Sequence, residues 1–224
     1  MTPLVDGELH HFHYGGLYDG LFVMTDARTG SLWHHITGEA MHGPLSGTTL
    51  ARTKLLPMNV KLALQVDAEM SLAMSDRPLL MPERYDKESP DPVLEQAIAP
   101  TLGQEDARRP RMDIGLGIWT DSTHRYYPMD VIVERGNALV DEIDGRRVLI
   151  YIEPESLTPV AVFVDASSVT WSRDEVRLDT GATVTAGVIR AGDGTPREGE
   201  QPLQMFTRWY GFALTFPDCE VFGE

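Results

Sequence analysis

Six of the seven histidines lie within residues 10–43, and two of them, His11 and His13, are separated by a single residue. Imidazole nitrogens bind zinc, copper, iron and nickel, and they also exchange protons near neutral pH. Because side chains alternate between the two faces of a β-strand, His11 and His13 on a strand point to the same side. The spacing therefore predicts a pair of imidazoles for one divalent transition metal ion: Zn, Cu, Fe or Ni.

His35 supplies the third metal ligand in this prediction, and His42 or Glu39 is the alternative. Three protein ligands with a fourth position open are the pattern of a catalytic metal site, in which bound water becomes the nucleophile. Two alternatives stay open. The histidines are polar residues on exposed strand faces, or they form a surface that gains charge as the pH falls below about 6.5.

A second candidate site lies near the C-terminus, in the sequence RWYGF. Aromatic and apolar residues at helical spacing predict a helix there, and Pro217 ends it. Arg208, Trp209 and Tyr210 then place a cation beside an aromatic wall, which suits a small anionic ligand. The alternative is an amphipathic helix that packs Trp209 against a sheet, with Arg208 paired to a nearby carboxylate.

The composition narrows the classes of function. The net charge is −15 at pH 7 and basic residues form only short pairs such as Arg146–Arg147, which argues against a nucleic-acid partner. A local group of cations is still able to hold a small acidic molecule. The single cysteine, Cys219, rules out an intramolecular disulfide and a cysteine-based zinc site. No apolar run approaches the ~20 residues that cross a bilayer, and no secretory signal is visible, so we expect a cytoplasmic protein without a membrane partner.

The elements that must position these residues are mainly strands. Residues 4–56 have the short apolar runs and glycine-containing turns of a β-meander, and Gly30 in ARTG is suited to a positive φ. The clearest hairpin is centred on the turn Asp144–Gly145, with apolar strand residues on both sides. A helix is predicted in MNVKLALQVDAEMSLAM, which follows the meander.

Six prolines and many charges set residues 75–113 apart from the rest of the chain. Such a stretch is typical of a connector or surface excursion, and the alternative is a lid over a site. We therefore expect a first β-rich half at 1–75, a Pro-rich connector at 76–113, and a second β-rich half with a C-terminal helix at 114–224. A faint echo of LALQVDAEM in FALTFPDCEV suggests an internal repeat. The predicted fold is mainly β with a few helices, two related β-meander halves each followed by a helix and packed as one compact body.

The strings TGSLW, TGEA, GPLSG and the terminal RWYGF, with DEIDGRRVLIYIEPES between them, resemble a bacterial family, domain-of-unknown-function family 3179. The resemblance covers both ends of the chain, whereas residues 76–113 match poorly. It implies tandem, related β-rich halves and no agreed activity. It also implies a Cys-x-x-Cys-type segment just upstream of PLVDGELHHF, and this chain lacks that segment, so the resemblance implies no thiol chemistry here.

Two functions from different classes follow. The first is a soluble ligand-binding domain for a small molecule, with a pocket between the sheet and the RWYGF helix. The alternative is a metal-dependent enzyme with a site centred on His11 and His13. The residue pattern leaves open whether the protein is an enzyme.

Overall fold

The computed structural model describes most of the chain, namely residues 3–53, 55–71, 74, 76 and 96–224. Most of the predicted connector lies outside the described residues, which resume at residue 96. The division of the chain at residues 75 and 113, and a lid at the connector, stay predictions.

Strands dominate the described residues, which confirms the predicted mainly-β fold. Among these residues the helices are short: α1 (Val60–Val66), α2 (Met129–Glu134), α3 (Trp209–Thr215), and the helical residues 96–98 with the 3-10 turn Ala99–Thr101 that follows them. The strands are β1 (Leu4–Val5), β2 (Glu8–Leu9), β3 (Phe12–Tyr18), β4 (Leu21–Asp26), β5 (Leu32–His34), β6 (Ala40–His42), β7 (Ile114–Trp119), β8 (His124–Pro128), β9 (Ala138–Ile143), β10 (Arg146–Ile152), β11 (Pro159–Phe163), β12 (Val169–Trp171), β13 (Val176–Leu178), β14 (Thr183–Thr185), β15 (Val188–Arg190), β16 (Pro196–Glu198), β17 (Leu203–Arg208) and β18 (Glu220–Val221).

Within the described residues the pairs of the β1-β2, β3–β6, β9–β11 and β12–β16 sheets and the pair β7-β8 are antiparallel, whereas β18 pairs with β8 in parallel. Strands that follow one another in sequence are neighbours in three of the larger sheets, which is the arrangement of a meander: β3-β4-β5-β6, β9-β10-β11 and β12-β13-β14-β15-β16. A further sheet has the order β17-β7-β8-β18, and β1 pairs with β2. A repeat relation between two halves is not confirmed and stays a prediction. No helix among the described residues is long and apolar enough to span a membrane.

Contacts between residues divide the chain into two units, and neither is continuous in sequence. Of the described residues, the first unit holds 3–53, 96–112 and 208–218. The second unit holds the others, with 113–207 as its main part.

The first unit is built on the sheet β3-β4-β5-β6. Its core contains Trp33, which is completely buried and meets the ring of Phe12 edge-on, with 5.7 Å between the ring centroids. The turn from β4 to β5 begins at Asp26 and includes Gly30, whose φ of +73° confirms the expected positive φ. Glycine adopts this backbone conformation without a steric penalty.

The second unit has a central sheet, β9-β10-β11, that is buried on both faces. β10 contains the continuous apolar run VLIYI, which is typical of a strand covered on two sides. Leu149 and Tyr151 pack on the side of the sheet β12–β16, whereas Val148, Ile150 and Ile152 pack on the side of β7, β8 and α2. The alternation of side chains along one strand thus joins three layers.

The hairpin of β9 and β10 turns at Asp144 and Gly145, which have φ values of +51° and +72°. Two consecutive positive φ angles are the geometry of a tight two-residue hairpin turn, and the Asp-Gly sequence predicts it correctly. The turn fixes the start of β10, and Arg146 and Arg147 are the first two residues of that strand.

Candidate functional site

The predicted metal ligands lie in the first unit but on different parts of its sheet. His11 immediately precedes β3, and His13 is exposed on β3 and pairs with Thr25 of β4. His35 lies in the turn after β5, where its ring stacks on Phe22 with 4.1 Å between centroids. Phe22 and Thr25 are an odd number of residues apart on β4, so they occupy opposite faces, and His13 and His35 therefore do as well.

His42 and Glu39 are exposed residues on and beside β6. In the part of the chain that the structure describes, no group of three or more His, Cys, Asp or Glu side chains is arranged to hold a metal ion. A metal at His11, His13 and His35, and an enzyme that uses it, stay predictions.

The structure instead brings His34 and His35 together, with rings nearly parallel and centroids 5.9 Å apart. The His34 Nδ1 atom accepts the backbone N–H groups of Ile36 and Thr37, both at 3.3 Å, so the ring proton is on Nε2. The His35 Nδ1–H donates to the carbonyl of Phe22 at 2.8 Å, which leaves the lone pair on Nε2. Only His35 of this pair therefore presents a ring nitrogen in the form that a metal requires.

Burial is the main cause of the lowered pKa values of His34 and His35. It lowers the pKa of His34 to about 4, helped by the proximity of His35 and opposed by Asp19. Burial also lowers the pKa of His35, although the hydrogen bond to the Phe22 carbonyl favours the charged ring. Both imidazoles are thus neutral at physiological pH.

Acidification is expected to destabilise the protein through His34. An unfolded imidazole gains a proton near pH 6.5, whereas folded His34 gains it only near its pKa of about 4. Protons favour the unfolded chain in this window, so the stability contributed by neutral His34 is complete above about pH 6.5 and is lost as the pH falls towards 4. His34→Asn keeps an acceptor for the backbone N–H groups and does not titrate. Its urea midpoint should fall less than that of the parent between about pH 7 and pH 5, and an equal fall would contradict the prediction.

His10, which the spacing argument omits, is the buried histidine of this region. It is 6% exposed, and its Nδ1 lies 2.9 Å from the Oδ2 of Asp26, which is 0% exposed. Asp26 also accepts the Thr29 hydroxyl at 2.6 Å and the Arg28 backbone N–H at 2.9 Å. The Asp at the first position of the turn DARTG is the sequence signal for such bonds. This pair organises the β4–β5 turn.

Trp209 and Tyr210 lie on the predicted helix, α3, whereas Arg208 is the last residue of β17 and immediately precedes it. Trp209 is 1% exposed and donates its ring N–H to the carbonyl of Asp106 at 2.8 Å. The Tyr210 hydroxyl donates to the carbonyl of Gly20 at 3.4 Å, and an Arg208 guanidinium N–H donates to the carbonyl of Met112 at 3.3 Å. These contacts are those of a helix packed into the first unit, and a ligand role for the three residues stays a prediction.

A cavity lined by three arginines lies in the second unit, beside the β9–β10 turn. Its volume is about 440 Å³, within the size range of small-molecule sites. The residues that line it come from β10, β11 and β16 and from the segments next to these strands: Gly145, Arg146, Arg147, Phe163, Val164, Asp165, Arg197 and Glu200. We call this space the arginine cavity.

Arg146 is held in place within the arginine cavity. Its guanidinium makes two hydrogen bonds of 2.7 Å to the carboxylate of Glu200 and lies 3.7 Å from the centroid of the Phe163 ring. The bonds to Glu200 raise the pKa of Arg146 above its ordinary value. A bidentate pair of this kind positions the side chain and neutralises its charge.

Arg147 and Arg197 are held more loosely. Arg147 donates to the backbone carbonyl of Asp165 at 3.3 Å, and Arg197 lies 4.0 Å from the Asp165 carboxylate, which is 93% exposed. An ion pair at that distance in water contributes little. The sequence shows Arg146 and Arg147 as neighbours, but it does not show that Arg197 lies near them, because Arg197 reaches the arginine cavity on a different strand, β16.

A model of one protein family matches residues 4–219, which is nearly the whole chain. The chain belongs to DUF3179, a family of proteins of unknown function. The DUF3179 match spans both units and includes every lining residue of the arginine cavity. Comparison with curated proteins finds no match, and comparison with solved structures finds none either.

Proposed function

We propose that this chain is a ligand-binding domain that holds a small anion, through a carboxylate or phosphate group, between Arg147 and Arg197. The observation that supports the proposal is a cavity in which two guanidinium groups have only weak contacts, at 3.3 Å and 4.0 Å, among the described residues. Guanidinium groups match the geometry of oxyanions and bind them through paired N–H donors.

The charge of the arginine cavity supports the same proposal. Three arginines face two carboxylates, those of Asp165 and Glu200, so the lining carries one net positive charge. The protein as a whole carries −15, and its field repels multiply charged anions more strongly than singly charged ones. A singly charged ligand therefore suits the site best.

The double variant Arg147→Ala/Arg197→Ala tests the proposal. Octanoate, titrated calorimetrically below its micelle-forming concentration, is the probe, and the double variant should bind it at least tenfold more weakly than the parent. Hydrogen bonds to charged groups contribute about 1.5–3 kcal/mol each, which supports a loss of this size. Parent affinity should also fall as salt is added.

The matched control is Arg173→Ala/Arg190→Ala, which removes the same charge from exposed positions of the second unit that do not line the arginine cavity. It should bind octanoate within twofold of the parent. An equal loss of octanoate affinity in the two double variants would show that the overall charge of the protein, and not the arginine cavity, causes the effect. Undiminished binding by the Arg147→Ala/Arg197→Ala protein would refute the proposed function.

A further inference from the structure

A second cavity of about 470 Å³ adjoins the arginine cavity within the second unit. The two cavities have Val164, Asp165 and Arg197 as common lining residues. We call the second space the apolar cavity, because its lining is mostly hydrocarbon from the sheet β12–β16 and the turns that follow its strands. Leu178, Ala182, Ile189 and Ala191 contribute to it.

The apolar cavity is continuous with the core of the second unit. Leu178, Ala182 and Ile189 are buried and belong to the cluster packed against β10 and β11. The small side chains of Ala182 and Ala191 leave space over that cluster. Asp193 is a polar member of the lining, and its carboxylate accepts the backbone N–H of Thr195 at 2.9 Å.

Arg197 is the residue that connects the two environments. An arginine has an apolar stem and a charged end, so a single side chain is able to contact hydrocarbon and an anionic group at once. Arg197 lines both the arginine cavity and the apolar cavity. A charged space next to an apolar one is typical of a site for an amphipathic molecule. Each of them is large enough for part of a small ligand.

We infer that the ligand is a medium-chain monocarboxylate, with its carboxylate between Arg147 and Arg197 and its hydrocarbon chain in the apolar cavity. This inference rests on the proposed function and specifies its ligand. The single charge follows from the +1 lining of the arginine cavity, and the hydrocarbon chain follows from the adjoining apolar cavity. Burial of each methylene group in such a cavity removes apolar surface from water.

Calorimetric titration with acetate, butanoate, hexanoate and octanoate tests the inference on the intact chain. Burial of a methylene is worth about 0.8 kcal/mol, so each added methylene should tighten binding about fourfold until the apolar cavity is filled. Octylammonium, which has the same chain and the opposite charge, should not bind measurably.

Two exposed positions give a matched pair of variants. Ala191→Phe places a ring in the apolar cavity and should weaken octanoate at least tenfold while acetate binding is unchanged. Thr170→Phe adds the same ring on β12, outside both cavities, and should leave octanoate binding as in the parent. Both positions are solvent-exposed, so both proteins are expected to fold.

The outcomes separate this inference from the proposed function. Equal affinities for acetate and octanoate, both lost in Arg147→Ala/Arg197→Ala, would overturn the apolar cavity as a chain site and leave the anion site standing. Octylammonium binding as tight as octanoate would overturn the anion site. Octanoate binding that resists Ala191→Phe would place the chain elsewhere and overturn the inference.

Discussion

Replacement of Asp26 by alanine is expected to lower the free energy of unfolding by about 3–5 kcal/mol, because hydrogen bonds to a charged group contribute about 1.5–3 kcal/mol each and several are lost together. The Asp26 carboxylate is completely buried and accepts three hydrogen bonds, from His10, the Thr29 hydroxyl and the Arg28 backbone N–H. In the alanine variant the His10 ring and the Arg28 backbone N–H lose this acceptor, whereas the Thr29 hydroxyl keeps Ser31 Oγ at 2.8 Å, and unsatisfied buried donors are costly. Urea unfolding of the two proteins at pH 7 measures the difference.

A conservative variant and a surface control make the Asp26 prediction specific. Asp26→Asn keeps one oxygen acceptor and should lose about half as much stability. Glu8→Ala removes a carboxylate that pairs with Arg28 on the surface, where both side chains are more than half exposed, and should change stability by less than about 1 kcal/mol. A loss below 1 kcal/mol in Asp26→Ala would show that the pair with His10 does not organise the turn.

The Asp26 variant should also respond differently to acid. Burial opposes ionisation of Asp26, but the hydrogen bonds from Thr29, Arg28 and His10 outweigh it and hold its pKa below the ordinary value. A carboxyl group with a lowered pKa contributes stability above the ordinary range near pH 4, and that contribution is lost as the pH falls through the folded pKa. Asp26→Ala should therefore lose less stability than the parent on acidification below about pH 4.

Local patterns predict the strands and turns of this protein well. The Asp144–Gly145 turn, the apolar run of β10 and the helical spacing after Arg208 each depend on neighbours within a few residues, and each is confirmed. Such features follow from backbone sterics and from the period of the side chains, which a single sequence displays.

The candidate site depends on neighbours that are distant in sequence. Arg147 reaches the arginine cavity because β10 pairs with β11, and Arg197 reaches it on β16, which enters through the pairing with β15. The backbone bond from Phe163 N–H to the Glu200 carbonyl then joins β11 to the segment that carries Glu200. No spacing in the sequence encodes these pairings.

The predicted histidine site also depends on strand pairings that the sequence does not display. The His-x-His spacing predicts the shared side of His11 and His13, but the distance to a third ligand depends on strand register and on which face the next strand presents. That register places His13 and His35 on opposite faces. The tautomer of His34 depends on backbone N–H groups in the turn after β5, and that of His35 depends on the Phe22 carbonyl of β4, and spacing indicates neither.

Glu153 provides the second large effect, because it is a buried carboxylate that joins two layers of the second unit. It is 3% exposed, and its Oε2 accepts the backbone N–H of Ala186 at 2.7 Å and the Tyr151 hydroxyl at 3.3 Å. Burial and the nearby charge of Glu153 raise the pKa of Tyr151, so the hydroxyl keeps its proton. Ala186 has a positive φ of 48°, and Glu153 thus stabilises the strained turn before β15.

Glu153→Ala is expected to lower the free energy of unfolding by about 3 kcal/mol, because it leaves a buried N–H and a buried hydroxyl without their acceptor. Glu153→Gln keeps an oxygen for the Ala186 N–H and should lose about half as much. The neighbouring Glu155 pairs with Lys61 at the surface, so Glu155→Ala is the matched control and should change stability by less than about 1 kcal/mol. Guanidinium unfolding at pH 7 measures all three variants. A Glu153→Ala protein as stable as the Glu155→Ala control would contradict the role assigned to the buried carboxylate. The position of β15, and of its residue Ile189 in the apolar cavity, would then not depend on Glu153.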